Sequence, residues 1–115
     1  MKEYLFIFRG GDDPGMQESP SLMQRHLMKW KTWIDSIVSE GKYIAGQPLT
    51  MAGKVVEGKQ MQVLDGPFAE GKEIVGGYLL IRSFNLAEAV EISKGCPGFE
   101  FGGSVEVREV LQAES

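Results

Sequence analysis

The chain has 115 residues, of which 43% are hydrophobic and 24% charged, and its 16 acidic side chains outnumber its 12 Lys and Arg to give a net charge of −4. This composition predicts one globular domain over residues 1–115. The acidic balance argues against binding to nucleic-acid phosphates or to an anionic membrane surface. One cysteine excludes an intramolecular disulfide framework and a cysteine-based zinc site, and it favours a cytoplasmic protein. The first apolar run, residues 4–8, is too short for a signal peptide or a membrane span.

The first predicted element is a strand over residues 3–9. Tyr4, Phe6 and Phe8 lie on one face of it, and Leu5 and Ile7 lie on the other, so both faces are apolar. A strand of this kind requires cover on both sides.

A long helix is predicted next, because Pro20 suits a first helical turn and Gly41 suits the position after the last one. Ser21 and Gln24 have the spacing of a capping box. One arc of this helix is apolar at 100° per residue and predicts packing on a sheet; it contains Leu22, Met23, Leu27, Trp30, Trp33, Ile34, Ile37 and Val38.

The second half of the chain repeats this order. Asn85 and Glu88 have the spacing of a capping box for a second helix, which Gly95 ends. The remaining strands are predicted at residues 42–50, 54–64 (as a small hairpin), 74–82 and 104–111. The resulting order predicts an α+β fold, a ferredoxin-like βαββαβ sandwich with an extra small hairpin and both helices on one face.

The central strands of this sheet are predicted to be the first strand and the one around residues 78–81. Both are apolar on the face that the helices leave open. Because an open apolar face of that size is unusual for a monomer, a second copy of the sheet is the simplest cover. We therefore predict a two-fold homodimer, and with it a dimeric α/β barrel.

Several segments resemble one known family. Residues 65–73 read DGPFAEGKE and are followed by GGY at 76–78, a combination similar to the signature of the DGPF-domain, YCII-related proteins. Cys96 with Pro97, residues 103–108 and residues 41–49 after a Trp-bearing helix also resemble that family. The resemblance covers nearly the whole chain.

This resemblance implies a ferredoxin-like, dimeric α/β barrel and names no reaction. Family members that lie beside extracytoplasmic-function sigma factors imply a regulatory or accessory role, whereas the YCII branch implies an enzyme with a His–Asp pair at the barrel. In that branch the helix histidine lies closer to the helix-ending glycine. Here His26 lies about one turn further from Gly41, and Trp30 occupies the nearer turn.

His26 is the only histidine, and it lies within the apolar arc one turn before Trp30. It is a candidate general base near neutral pH, or else a helix-face histidine with a hydrogen bond near the helix start. Trp30 is expected in the core, in an interface, or in the wall of an aromatic-lined pocket. One histidine with scattered carboxylates matches no metal-binding motif and supplies one haem ligand at most, so we expect no metal and no cofactor.

Residues 65–73 combine three carboxylates with one lysine, and the segment begins with the composition of a turn. Its charges are either solvated side chains of a structural loop or part of a pocket wall. In a pocket, Asp65 would orient a base or the substrate and Lys72 would hold an acidic group. Turn chemistry does not explain Glu70, Lys72 and Glu73, so we expect ligand contacts there.

Two arginines on predicted strands have two interpretations. Arg82 and Arg108 could bind an anion inside the barrel, or they could pair with Glu106 across the dimer. Arg82 is the candidate ligand-binding residue of the two.

Two functions are compatible with these residues. The first is a small-molecule enzyme without an organic cofactor, in which His26 is the base and Asp65, Glu70 or Lys72 orients it or the substrate. The second is a non-enzymatic ligand sensor or accessory partner of a transcription regulator of the extracytoplasmic-function sigma factor type, which the family resemblance implies.

Overall fold

Strands and helices lie within residues 1–11, 18–66 and 74–112, the parts of the chain that the computed structural model describes. The elements are, in chain order, β1 (Lys2–Arg9), α1 (Pro20–Ser39), β2 (Tyr43–Pro48), β3 (Gly53–Glu57), β4 (Gln62–Gly66), β5 (Val75–Ser83), α2 (Leu86–Ser93), a 3-10 helix (Pro97–Phe101) and β6 (Ser104–Glu109). β2, β5, β1 and β6 form an antiparallel sheet in that order, while β3 and β4 pair only with each other. The predicted α+β sandwich, with the first strand and β5 at its centre, is confirmed.

The core lies between this sheet and the helices. The alternation of β1 places Tyr4, Phe6 and Phe8 on the helix side, where all three are buried. Trp33 and Ile37 of α1 pack onto them. The predicted apolar arc of α1 is wider than the surface that the sheet covers, because Leu22, Leu27 and Val38 at its margins are exposed.

The ends of α1 are set by local hydrogen bonding. Ser19 is the N-cap, and its side chain accepts a hydrogen bond from the Leu22 backbone N–H at 3.4 Å. The predicted capping box of Ser21 and Gln24 is therefore wrong, because Ser21 already lies inside the helix. Gly41 follows the C-cap with a φ of 72°, which is the left-handed conformation predicted for it.

The start of α2 follows the predicted capping pattern, except that the backbone donor to Glu88 is Phe84 instead of the N-cap Asn85. The Asn85 side chain accepts from the Glu88 N–H at 2.8 Å. The Glu88 carboxylate accepts from the N–H of Phe84, one residue before the cap, and from the hydroxyl of the buried Ser83 at 2.7 Å. Both bonds favour the ionised carboxylate and lower the pKa of Glu88.

No helix of the described residues lies across the second face of the sheet. Leu5 and Ile7 of β1 lie on this open face beside Leu80 and Tyr78 of β5, their register partners. At its β6 side, Glu106 accepts hydrogen bonds from Arg108 at 3.1 Å and Arg9 at 2.7 Å, and these two arginines lower its pKa. Within the described residues, Glu106 thus has both of its arginine partners in its own protomer. In the same parts of the chain, no helix is long and apolar enough to cross a membrane.

Candidate functional site

One end of the four-stranded sheet lies beside the helix residues Trp30 and His26, two of the candidate residues. β1 ends at Arg9, whose register partners are Val75 near the start of β5 and Ser104 at the start of β6. β2 ends at the same place, since Pro48 pairs with Gly77 of β5. We call this the Arg9 end of the sheet. The connection that contains residues 67–73 enters β5 here.

His26 is held by its neighbour one turn along α1. The indole N–H of Trp30 donates to Nε2 of His26 at 2.9 Å. Nδ1 of His26 is buried and has no hydrogen-bond partner among the described residues. Because Nε2 accepts a proton donor, the neutral imidazole carries its own proton on Nδ1.

Aromatic side chains join this pair to the core. The Phe101 ring centroid lies 5.7 Å from that of His26, and the Trp30 ring meets Phe8 edge-on at 5.0 Å. Trp30 also contacts Trp33 at 5.6 Å. Trp30 therefore packs against the core, which is one of the positions predicted for it, and it also donates a hydrogen bond to the candidate base.

Close backbone contacts place the 3-10 helix beside His26. A Cβ added to Gly103 would lie 2.7 Å from the Gly11 Cα and 2.8 Å from the Gly98 carbonyl oxygen, so only glycine fits there. Gly102 has a φ of 78° and turns the chain from the 3-10 helix into β6. Sequence reasoning missed both this contact and Phe101; the Gly-Gly pairs at 10–11 and 102–103 were the available signal.

The space enclosed beside these residues is small. A cavity of about 10 Å³ lies among Phe8, Trp30, Phe99 and Gly103, enough for about one water molecule. Neither His26 nor Phe101 lines this cavity, and Phe101 is 38% exposed. Cys96 also borders the cavity, but its burial raises the pKa of the thiol to about 11, so it is no nucleophile at neutral pH.

Asp65 lies elsewhere than the sequence suggested. It belongs to β4 rather than to a turn, opposite Lys54 of β3, and its carboxylate pairs with the Lys54 ammonium group. The side chain of Asp65 is 88% exposed. The structure does not bring Asp65 and His26 together within one protomer.

Arg82 lies near the other end of β5. Its register partner is Glu3, at the start of β1, so about 20 Å of strand separate it from the Arg9 end. It points to the open face of the sheet rather than towards His26. Glu70, Lys72 and Glu73 lie outside the described residues. Among the described residues, no group of three or more His, Cys, Asp or Glu side chains could hold a metal ion.

The model of the YCII-related domain family matches residues 5–114. The chain belongs to that family. This YCII-related domain is also similar in fold to a solved structure, the 5-chloro-2-hydroxyhydroquinone dehydrochlorinase TftG from Burkholderia phenoliruptrix AC1100 in complex with 2,5-dihydroxybenzoquinone. The two share 15% identity over 96% of this chain and 95% of that one, with a TM-score of 0.50. At that identity the likeness shows the fold alone. No curated protein matches the YCII-related chain with significance.

Proposed function

We propose that this YCII-related protein is an enzyme that binds a small planar ring compound at the Arg9 end of its sheet and transfers a proton to His26 without an organic cofactor. The observation that carries the proposal is the Trp30–His26 pair, because it places the only imidazole on an aromatic cluster with Nε2 as its proton acceptor. Family membership supports it, as does the ring compound bound by the dehydrochlorinase of similar fold.

The proton acceptor in this proposal is Nε2 of His26. Nδ1 is buried and carries the proton of the neutral ring, whereas the Nε2 lone pair already accepts one N–H. A hydroxyl group of the ligand would replace the Trp30 indole at Nε2. The O–H bond then breaks, the proton stays on Nε2, and the electron pair stays on the ligand oxygen. An elimination, the class of reaction named for the dehydrochlorinase, can begin with such a step.

The charged residues of the 65–73 segment complete the proposed site. Lys72 is the candidate cation for the ligand oxyanion, and Glu70 and Glu73 are candidate carboxylates for the imidazolium. Their connection enters β5 at the Arg9 end, which is the reason for keeping them. Within its own protomer Asp65 pairs with Lys54 at the base of the β3–β4 hairpin. It would therefore contribute to the proposed site either from that position or in a neighbouring protomer. Arg82 is left out of this site because it lies at the far end of β5.

The test is binding of 2,5-dihydroxybenzoquinone, measured by thermal shift and by isothermal titration calorimetry. A ligand at 100 times its Kd adds about 2.7 kcal/mol to the free energy of unfolding, which for this chain length is a rise in Tm of several degrees. His26→Ala should weaken binding at least about tenfold, the equivalent of one charge-assisted hydrogen bond. Gln24→Ala, an exposed change on the same helix, is the control and should bind as the wild type does. Wild-type protein that binds neither this compound nor other hydroxylated rings, or binding unchanged by His26→Ala, would contradict the proposal.

We also propose that two copies of the chain pack through the open sheet face as a two-fold homodimer. Leu5, Ile7 and Leu80 form an apolar strip there that no element of the described chain covers. Arg82 lies on the same face and would belong to this interface.

The comparisons give no support to an accessory role beside a sigma factor.

A further inference from the structure

The β3–β4 hairpin is structurally separate from the rest of the protomer. Its two strands pair only with each other, and in the described chain neither makes an extended contact with a helix or with the four-stranded sheet. It follows β2, an edge strand of that sheet, after only four residues. A two-stranded hairpin standing alone in water is at best marginally stable. This hairpin therefore needs a surface to pack against.

The two faces of the hairpin differ in their exposure. Val55 and Leu64 are cross-strand partners on one face and are half-buried. Val56 and Val63 are partners on the other face, where they are 61% and 62% exposed. The Lys54–Asp65 ion pair lies beside them on that second face. The outer face is thus apolar at its centre and carries one charge of each sign.

We infer that this outer face packs against a second copy of the chain, so that the hairpin is an arm of the dimer. The inference rests on the homodimer proposed above. The arm begins next to β2, at the edge of the sheet whose open face forms the proposed interface. One symmetric association can therefore cover both the open sheet face and the arm. The balanced charges of Lys54 and Asp65 do not favour a strongly charged partner such as a nucleic acid.

The exposed area of the protomer fits an association of this size. The chain exposes 8275 Å². A folded monomer of its mass exposes about 6,200 Å², so the excess is roughly 2,000 Å² per protomer. Surface of this extent is sufficient for an obligate homodimer, which buries about 2,000 to 5,000 Å² in total.

The experiment is sedimentation velocity on the full chain, comparing Val63→Glu with Met28→Glu. Both changes add one negative charge at an apolar side chain of nearly equal exposure, 62% and 60%, but Met28 lies on α1. We expect Val63→Glu to raise the dimer Kd at least about tenfold and Met28→Glu to leave it unchanged. Equal effects of the two variants would overturn the arm.

Two further measurements keep the result decisive. Amide hydrogen exchange of the wild type should slow in residues 53–57 and 62–66 as the protein concentration rises through the dimer Kd, and this needs no folded variant. Exchange that does not depend on concentration overturns the arm. If Ile7→Glu on the open sheet face separates the protomers while Val63→Glu does not, the dimer stands and the arm is wrong. A wild-type protein that stays monomeric at all concentrations overturns both.

Discussion

The hydrogen bond between Trp30 and His26 decides which nitrogen of the imidazole can act. An indole is a donor only, so His26 must accept at Nε2 and carry its neutral-state proton on Nδ1. The bond also keeps Nε2 occupied until a better donor arrives. In the proposed reaction Trp30 would be a positioning residue, which acts on a ligand only through His26.

Trp30→Phe tests this role by removing the N–H while keeping a ring against Phe8. The 15N shifts of the two His26 nitrogens should move towards each other as the fixed tautomer is lost, and the free energy of unfolding should fall by about 1 kcal/mol. Trp33→Phe is the matched control, since the Trp33 N–H donates to the Ile92 carbonyl instead. Unchanged His26 shifts in Trp30→Phe would show that the indole does not set the tautomer.

Individual residues of the site could be predicted only where helix periodicity relates them. The i, i+4 spacing of His26 and Trp30 was sufficient to predict their contact. Phe101 could not be predicted, because its approach to His26 depends on where the 3-10 helix ends. Asp65 looked like a turn residue by type, but strand pairing with Lys54 extends β4 through it.

At the scale of elements, the packing of three glycines fixes the 3-10 helix against the end of β1. Gly103→Ala should lower the free energy of unfolding by about 1–3 kcal/mol, because the added methyl group would overlap the backbone of Gly11 and Gly98. Gly53→Ala is the control, since a Cβ there meets nothing within 4 Å. Urea unfolding at one protein concentration measures both. A loss in Gly103→Ala no greater than that in Gly53→Ala would mean that the contact is not rigid.

The strands and helices were predictable because each has a local signal. Alternation of Tyr4, Phe6 and Phe8 located β1 and its buried face, and Asn85 with Glu88 located the start of α2. The N-cap of α1 was predicted wrongly, because Ser19 and Ser21 flank Pro20 and a serine at either position could be the N-cap. The 3-10 helix has too short a period and length to stand out in sequence.

At the scale of the whole molecule, the open sheet face is the feature on which the proposed assembly depends. The sequence predicts its apolar strip from the second faces of β1 and β5. The structure places Leu5, Ile7 and Leu80 there, and no helix in the described parts of the chain lies across them. In the proposed dimer a second chain covers the strip. The hydrophobic pattern of one chain does not predict how two chains are oriented relative to each other. The hairpin arm and this face therefore belong to one proposed two-fold interface.

Ile7→Glu tests that interface at the centre of the face. In a separate protomer the new carboxylate would face water beside Tyr78 and Glu106, its register partners, and circular dichroism should show the fold retained. In a two-fold dimer it would be buried twice beside the carboxylate of Glu106, its register partner, so the dimer Kd should rise by at least about a hundredfold. Val38→Glu, on an exposed position of α1, is the control and should sediment as the wild type does. A dimer of unchanged Kd in Ile7→Glu would place the interface elsewhere, because burying two carboxylates at its centre would weaken the association.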